Sequence, residues 1–279
     1  MSVIRIKQWA APIDARKATI LDAALDAGVP YPHGCRSGEC GACKCRLLAG
    51  QVKSYGYSPD ALSKRECAAG LILACRSRPV GDIEIAWLDD AAPSPQHAIQ
   101  TLDATVIGRE QATHDITRLH LEAAGQPLTF SAGQYAELGF GGLPTRPYSM
   151  ANIPGNGPLE FHIRQLQGGL VSNYVANELC VGDPVKIEGP YGSAQLRENA
   201  ARPMLLVAGG SGLAPIKSIL LAALALPWRG AIHLYHGVRD ARDLYDVGLL
   251  SELASRHRFR FVPVLSAPAT ATSPHHGFV

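Results

Sequence analysis

Hydrophobic residues follow a different spacing in each third of this 279-residue chain. In the first third, an amphipathic pattern predicts a helix over Ile20–Ala27, with a cap near Thr19 and an end at Gly28. A strand is predicted over Lys44–Leu48, and alternating apolar residues predict another over Asp82–Trp87. These elements belong to a first block that ends at about residue 90.

Short strands divided by glycine and proline dominate the middle of the chain. An Ala-, Ser- and Pro-rich stretch, Ala91–Gln96, predicts an extended linker ahead of them. From about residue 100 the apolar stretches are spaced like the strands of an antiparallel barrel. These stretches are Ala104–Ile107, Thr117–Leu121, Tyr135–Leu138, Leu159–Ile163 and Pro184–Glu188.

Strands and helices alternate in the last part of the chain. The unbroken apolar strand Pro203–Ala208 leads into a glycine turn, Gly209–Gly212. The elements after this turn are a helix at Ala214–Leu226, a strand at Ala231–His236, a helix at Leu244–Ser255 and a strand at Arg260–Leu265. Such alternation predicts a doubly wound parallel sheet. Three strands are fewer than a dinucleotide-binding domain has, so we expect the chain to be a fragment or a truncated product.

Composition and charge narrow the functional class. A length of 279 residues suits two or three domains, and 47% hydrophobic residues describe a soluble globular protein. The net charge of +2 implies no surface for nucleic acid. The longest apolar stretch, Ser218–Trp228, is too short to span a bilayer, so we expect no membrane segment and a cytoplasmic location.

Four cysteines supply the clearest candidate chemistry. Their spacing, C-x4-C-x2-C followed by a distant fourth cysteine, is the plant-type [2Fe–2S] pattern. The four are Cys35, Cys40, Cys43 and Cys75. Gly34, Gly38 and Gly41 punctuate the loop, so its backbone can curl tightly and aim N–H groups at sulfur. The sequence therefore predicts a one-electron carrier.

Other roles for the cysteines fit less well. A zinc site usually repeats C-x2-C or ends in histidine, and disulfides need an oxidising compartment, whereas the N-terminal sequence is polar and unlike a signal peptide. Cys45, Cys67 and Cys180 are interpreted as small buried hydrophobes, with Cys45 as a rival ligand. His33, beside the loop, is interpreted as structural rather than as a Rieske ligand.

Three further motifs indicate phosphate-bearing cofactors. R-P-Y-S, Arg146–Ser149, supplies a guanidinium for phosphate, a flat ring for stacking on a flavin and a hydroxyl. G-G-L-V-S-N-Y, Gly168–Tyr174, and G-G-S-G, Gly209–Gly212, place glycines before helix N-termini, where N–H groups face an anion. Each motif alone also fits an ordinary turn or helix cap. Their order behind a cysteine loop argues against coincidence.

The chain resembles the reductase components of bacterial multicomponent ring-hydroxylating oxygenases. The resemblance covers essentially the whole chain and is carried, in order, by C-R-S-G-E-C-G-A-C-K-C-R, R-P-Y-S, G-G-L-V-S, G-P-Y-G (Gly189–Gly192) and G-G-S-G-L-A-P (Gly209–Pro215). It implies a multidomain protein with an α+β β-grasp ferredoxin domain at 1–90 and a linker at 91–100. An antiparallel β-barrel FAD domain at 101–199 and an incomplete α/β doubly wound NAD(P) domain at 200–279 would follow.

The resemblance also implies a role for each motif. Tyr148 and Ser149 would be the catalytic residues, at the ring face and the N5 region of the flavin. The whole FAD-binding set would be Arg146, Pro147, Tyr148, Ser149, Ile163, Arg164, Gly169, Leu170, Val171 and Ser172. The nicotinamide dinucleotide would contact Gly210, Ser211 and Gly212; the family usually has threonine where this chain has Ser211.

The implied function is NAD(P)H-dependent electron transfer from NADH through FAD and a [2Fe–2S] cluster to a ferredoxin or a terminal aromatic-ring dioxygenase. NADPH is an alternative donor, since Asp240 would accept ribose hydroxyls whereas Arg242 would attract a 2′-phosphate, and the family favours NADH. Two other functions stay open: the reductase of a diiron monooxygenase or deoxysugar dehydratase, and a non-enzymatic iron–sulfur carrier. The family continues to a C-G-P-P-like motif without a counterpart here, so we expect slow hydride transfer.

Overall fold

The computed structural model describes residues 2–15, 18–88, 97–155, 157–197, 202–227, 230–257 and 259–267, together with 277 and 279. The chain divides into two compact units, Met1–Gln96 with Gly192–Ala194 and His97–Tyr191 with Gln195–Val279. The linker predicted at Ala91–Gln96 lies outside the described residues. No helix in the described part of the chain is long and apolar enough to cross a membrane.

The first unit contains five strands and two short helices. In chain order these are β1 (Val3–Ile6), β2 (Trp9–Asp14), α1 (Ile20–Asp26), β3 (Lys44–Ser54), α2 (Lys64–Ala68), β4 (Leu71–Leu73) and β5 (Ser77–Trp87). The strands form one sheet in the order β2-β1-β5-β3-β4, in which β1 runs parallel to β5 and the other neighbours are antiparallel. The fully buried Ile20, Leu21 and Ala24 of α1 share one core with the sheet, which confirms the expected β-grasp ferredoxin fold.

Local signals account for α1 but not for the full length of β3. The Thr19 hydroxyl oxygen accepts a hydrogen bond from the Asp22 N–H at 3.1 Å, so the predicted cap is confirmed. β3 continues to Ser54 instead of ending at Leu48, because its later residues pair with β5 as far as Ser54↔Ser77. Most of those later side chains are exposed. A hydrophobic alternation therefore cannot reveal this part of the strand.

The second unit begins with an antiparallel barrel. Its elements are β6 (Gln100–Gln111), β7 (Ile116–Ala123), β8 (Tyr135–Phe140), β9 (Arg146–Ser149), β10 (Leu159–Arg164), α3 (Leu170–Asn177) and β11 (Pro184–Tyr191). The strand order is β10-β7-β6-β11-β8-β9, with antiparallel neighbours throughout. A bridge between Met150 and Phe161 brings the two edges together, so the barrel is nearly closed and the prediction is confirmed.

The R-P-Y-S motif forms β9, which the strand pattern does not predict. Pro147 removes a donor from the ladder, so the sequence favours a loop, but proline is tolerated on a strand at the edge of a sheet. β9 is such a strand, since it lies at the end of the sheet order and pairs with β8 through Leu138↔Arg146 and Ala136↔Tyr148.

The second unit ends in a parallel α/β sheet. Its elements are β12 (Met204–Gly209), α4 (Leu213–Ala225), β13 (Ile232–Val238), α5 (Val247–Arg256) and β14 (Phe259–Leu265). The strand order is β12-β13-β14 and both pairs are parallel, as predicted. α5 begins three residues later than the expected Leu244, because Ala241–Asp243 forms a 3-10 turn and Asp246 has a left-handed backbone with φ of +56°.

Candidate functional site

The four predicted cluster ligands lie together in the first unit. Cys35 and Cys40 are on the loop after α1, Cys43 directly precedes β3, and Cys75 is in the 3-10 turn before β5. The Cys43 and Cys75 sulfurs are 3.2 Å apart. The Cys35 sulfur accepts hydrogen bonds from the Glu39 and Cys40 N–H groups, both at 3.3 Å.

Hydrogen bonds favour the thiolate at Cys35 and Cys43, whereas burial raises the pKa of Cys40. Burial opposes ionisation of Cys35, but hydrogen bonds from Ser37 and the Glu39 N–H lower its pKa to about 6. A hydrogen bond to Cys75 lowers the pKa of Cys43, whereas the same contact and burial raise the pKa of Cys75. Four thiols at one place, with N–H donors around them, are a donor set that fits a [2Fe–2S] cluster.

The glycines of the loop lie so close to neighbouring atoms that any larger residue would collide with them. A Cβ on Gly34 would lie 2.9 Å from the Cys40 sulfur. Gly38 has φ of +85°, and a Cβ there would lie 2.8 Å from the Arg76 side chain. Gly41 has φ of +72°, and a Cβ there would lie 3.0 Å from the Ala61 carbonyl oxygen. The loop is therefore shaped by its glycines to close around the thiols.

The remaining cysteines and His33 lie in different environments. Cys45 is fully buried in the core of the first unit, and burial raises its pKa to about 12. Cys67 and Cys180 are exposed, so the interpretation of both as buried hydrophobes is wrong. His33 is buried within the first unit, where its Nδ1 lies 2.8 Å from the Tyr31 carbonyl and its Nε2 accepts from the Gly192 N–H at 3.2 Å. Both ring nitrogens have partners, which supports a structural role.

The predicted flavin residues of β9 lie at the edge of the barrel in the second unit. Arg146 and Pro147 are exposed, and Arg146 donates to the neighbouring Thr145 carbonyl at 2.8 Å. Tyr148 is half-buried against the barrel core, and burial raises its pKa, so the phenol stays protonated. Arg146 and Tyr148 share one face of the strand because alternate residues do. This face offers a cation and an aromatic ring side by side.

The start of α3 offers backbone donors rather than side chains. A Cβ on Gly169 would lie 2.5 Å from the Ser172 hydroxyl oxygen, so the chain is too close there for a larger residue. That hydroxyl accepts from the Leu166 N–H at 3.1 Å and donates to the Gly169 carbonyl at 3.2 Å. Val171 is buried in the barrel core, whereas Leu170 is exposed. The first-turn N–H groups have no acceptor within the helix, which suits an anion such as a pyrophosphate.

Ile163 and Arg164 at the end of β10 face different surroundings. The Ile163 side chain is buried in the barrel core, so only its backbone can contact a ligand. The Arg164 Nε donates to the Asp115 carboxylate at 2.8 Å. Burial would raise the pKa of Asp115, but the hydrogen bond from Arg164 outweighs burial and lowers it. Both Arg164 and Asp115 line a cavity of about 320 Å³.

This cavity lies at the carboxyl ends of β12 and β13, where parallel sheets usually bind dinucleotides. Of the three predicted contacts, Gly210 lines the cavity, whereas Ser211 and Gly212 lie in the same 3-10 turn without lining it. Gly210 has φ of +51°, which favours glycine, and its carbonyl lies 3.1 Å from the His236 Nε2. The glycine turn and cavity can accommodate part of a dinucleotide, which fits the predicted cofactor.

The charged groups beyond β13 differ from the sequence expectation. The Asp240 carboxylate accepts from the Ala241 N–H at 2.6 Å and caps the 3-10 turn, while Asp243 accepts from the Asp240 N–H at 3.0 Å. Neither Asp240 nor Arg242 lines the cavity, but Arg239 does. No ion pair to Arg239 occurs among the residues that the structure describes. Arg239 was not among the predicted site residues, although its place directly after a strand of a parallel sheet is a usable signal.

Comparisons with known proteins divide the chain in the same order. Residues 5–80 match a 2Fe-2S iron-sulfur cluster binding domain, residues 103–196 an oxidoreductase FAD-binding domain and residues 206–279 an oxidoreductase NAD-binding domain.

Two relatives are similar over most of their length. The ferredoxin–NAD(P)+ reductase component of the naphthalene 1,2-dioxygenase/salicylate 5-hydroxylase systems of Ralstonia sp. is 43% identical over 86% of this chain and 72% of the relative. The reductase subunit of an Amycolatopsis aromatic O-demethylase is 42% identical over 89% of this chain and 76% of the relative.

Solved structures agree with these relatives. A crystal structure of an Amycolatopsis cytochrome P450 reductase has a TM-score of 0.79 and 39% identity, covering 100% of this chain and 84% of the other. A ferredoxin reductase in carbazole 1,9a-dioxygenase has a TM-score of 0.71 and 26% identity, covering 100% of this chain and 83% of the other.

Proposed function

The chain belongs to the family of iron–sulfur flavoprotein reductases that pass electrons from NAD(P)H to oxygenase systems, and on this premise we propose how its residues divide that work. FAD when bound accepts a hydride, and a [2Fe–2S] cluster carries electrons one at a time. The cluster ligands are Cys35, Cys40, Cys43 and Cys75. Three of them lie on or directly after one glycine-lined loop, and the Cys75 sulfur lies 3.2 Å from that of Cys43; this arrangement is the observation that carries the assignment.

The FAD residues come from β9 and the first turn of α3. Arg146 would hold a phosphate through its fork of donors, and the backbone of Gly169–Ser172 would hold the pyrophosphate. Tyr148 would offer its ring to the flavin, and Ser149 would offer its hydroxyl to the N5 region. Hydride transfer needs no proton donor from these side chains, so Tyr148 and Ser149 act by orienting the ring.

The dinucleotide site accepts NADPH as well as NADH. An acid selects NADH when it accepts the ribose hydroxyls, but the Asp240 carboxylate caps a turn and does not line the cavity. Arg239 lines it instead and offers a guanidinium to a 2′-phosphate. We therefore expect weak discrimination between the two donors instead of the preference for NADH that the family resemblance favours.

The electron acceptor is the ferredoxin or terminal oxygenase of an aromatic-oxidising system. Support comes from the two relatives above, which belong to a naphthalene and salicylate system and to an aromatic O-demethylase. A monooxygenase partner stays open, since the reductase component of a phenol 2-monooxygenase is 36% identical. A non-enzymatic carrier has no support, because FAD- and NAD-binding domains match residues 103–196 and 206–279. The cytoplasmic location stays a prediction.

A cysteine variant with a matched control tests the electron path. Cys75→Ser removes one proposed ligand, whereas Cys67→Ser removes an exposed thiol of the same unit. We expect Cys75→Ser to keep its FAD and its NADH-dependent reduction of ferricyanide but to lose iron, acid-labile sulfide and cytochrome c reduction. Cys67→Ser should match the parent. Cytochrome c reduction that survives complete loss of the cluster would contradict the proposed path.

A further inference from the structure

Charged side chains meet in the interior of the second unit, where the barrel contacts α4 and the start of α5. The barrel contributes Arg118 from β7 and Glu160 and His162 from β10, whereas the parallel-sheet part contributes Lys217, Tyr245 and Asp246. We name these six residues the buried charge network. Neither the cofactor motifs nor the hydrophobic pattern accounts for it.

Lys217 is the centre of the network. Its Nζ lies 2.8 Å from the Glu160 Oε1 and 3.0 Å from the Asp246 Oδ2, and the Lys217 and Asp246 side chains are each only 7% exposed. Arg118 contacts the same two carboxylates, through Nε to Glu160 at 3.4 Å and through a close ion pair to Asp246. Two cations therefore meet two anions inside the protein, and Arg118 also pairs with the exposed Glu110.

The neutral members tie the network to the glycine turn. The His162 Nε2–H donates to Glu160 at 2.7 Å, and its Nδ1 accepts from the Tyr245 hydroxyl at 2.9 Å. The Tyr245 ring packs edge-on against the rings of His162 and His236, with centroids 5.1 Å and 5.5 Å apart. The His236 Nε2–H donates to the Gly210 carbonyl at 3.1 Å. Burial lowers the pKa of both histidines, so both stay neutral near pH 7.

A second contact joins α4 to the barrel next to Lys217. The hydroxyl of the fully buried Ser218 donates to the Asn152 carbonyl at 2.7 Å. Asn152 follows the R-P-Y-S strand, and Glu160 lies on β10. Adjacent residues of α4 thus bond to β10 and to the segment that follows β9, the strand that carries Arg146 and Tyr148 of the proposed FAD site.

Stability alone is a poor explanation for this arrangement. Replacing a buried ion pair by apolar residues of similar volume is often neutral or stabilising, so an apolar contact could hold α4 to the barrel equally well. Ion pairs and hydrogen bonds are directional, whereas apolar contacts can slide. The left-handed backbone of Asp246, unfavourable for a residue with a Cβ, also persists only where its surroundings fix it.

We infer that Lys217 and Tyr245 are positioning residues, which fix the glycine turn and α4 against β10 and so set the approach of the nicotinamide to the flavin. This inference rests on the proposed placement of FAD and dinucleotide. Hydride transfer requires the reacting atoms to lie about 3–3.5 Å apart, and a misplacement of about 1 Å can lower the rate by about 100-fold. The network touches neither reactant, so its effect is on geometry.

The test compares Lys217→Met with Lys217→Arg and with Glu252→Gln, which breaks the exposed Arg256–Glu252 pair on α5. Stopped-flow bleaching of the flavin by NADH gives the limiting rate and the dinucleotide Kd separately. We expect Lys217→Met to lower the limiting rate about 10- to 100-fold, with Kd and FAD content within about threefold of the parent. Lys217→Arg should recover most of the rate, and Glu252→Gln should match the parent.

Hydrogen exchange supplies a readout that is independent of turnover. In Lys217→Met, amide exchange at the start of α4 and in β10 should be faster than in the parent. Faster exchange with a limiting rate within twofold of the parent would overturn the inference, because the network would then act on stability alone.

Two other results are distinguishable. If Lys217→Met loses its FAD, Tyr245→Phe is the deciding variant, because it keeps the ring and removes only the hydroxyl. A limiting rate of flavin bleaching at least about threefold lower than that of the parent supports the inference, and an unchanged rate overturns it. A parent protein whose FAD is not bleached by NADH contradicts the proposed function itself.

Discussion

Glu160 carries a buried charge whose removal has a calculable cost. Burial opposes its ionisation, but the hydrogen bond from His162 and the charge and hydrogen bond of Lys217 outweigh burial and lower its pKa from 4.5 to about 2. The Glu160 side chain is only 12% exposed, so solvent screens these contacts weakly. A pKa lowered by that amount corresponds to ~3 kcal/mol of stability. Removing one partner of a buried ion pair typically costs ~3–5 kcal/mol, which agrees in size.

The perturbation is Glu160→Gln, which keeps the shape and an acceptor for His162 but removes the charge. Because the folded pKa is lowered, the carboxylate contributes its full stability above about pH 4.5 and loses it as the pH falls towards 2. At pH 7 we expect Glu160→Gln to lower the free energy of unfolding of the second unit by ~3 kcal/mol. The difference between parent and variant should shrink as the pH falls below about 4.5.

Urea unfolding at a series of pH values measures this difference, with flavin fluorescence reporting the second unit. Glu252→Gln is the matched control, because the Glu252 side chain is 55% exposed and its ion pair should contribute less than about 1 kcal/mol. A loss of under about 1 kcal/mol for Glu160→Gln at pH 7 would refute the argument. So would a difference that stays constant down to pH 2, since it could not come from the charge.

Three further variants test the dinucleotide site, the glycine turn and the cluster ligands separately. Arg239→Gln should lower kcat/KM for NADPH by about 10- to 100-fold and change kcat/KM for NADH by less than about threefold. Flavin-dependent ferricyanide reduction measures both values, and equal losses for the two donors would exclude a contact between Arg239 and the 2′-phosphate. Gly210→Ala places a Cβ at φ of +51° and should raise the Kd for NAD+ about fivefold without loss of FAD, whereas an unchanged Kd would show that the turn is not part of the site. Cys45→Ala should keep the full iron content and lose about 1–2 kcal/mol of stability from the core, and a loss of iron would identify Cys45 as a ligand instead.

Local signals in the sequence predict much of this fold. The spacing of apolar residues predicts the helix α1, and Thr19 predicts its N-terminal cap, because the Thr19 hydroxyl accepts from the Asp22 N–H within one turn. The parallel sheet is foreseen because buried strands are continuously apolar and alternate with helices. The same local character explains the cysteine loop, where spacing and glycines lie within one short segment of sequence.

Non-local contacts escape such patterns. The strand β9 depends on pairing with β8, which its proline hides, and the outer part of β3 has little buried surface to produce an alternation. Asp240 has the residue type expected of a ribose ligand, but its carboxylate caps a turn. Lys217 forms ion pairs with Glu160, 57 positions before it, and with Asp246, 29 positions after it. A charged residue ordinarily indicates a position on the protein surface, so the sequence does not predict these buried pairs.

The function proposed for this protein rests on the claim that electrons pass from NADH through the flavin to the iron–sulfur cluster. Rapid mixing of the anaerobic parent protein with NADH, followed by optical absorbance and by EPR of samples frozen at successive times, tests it most directly. We predict that flavin absorbance bleaches first and that the EPR signal of a reduced [2Fe–2S] cluster rises afterwards, and that Cys75→Ser shows only the bleaching. A cluster signal that rises before the flavin bleaches, or a cluster that stays oxidised after the flavin is reduced, would contradict the claim.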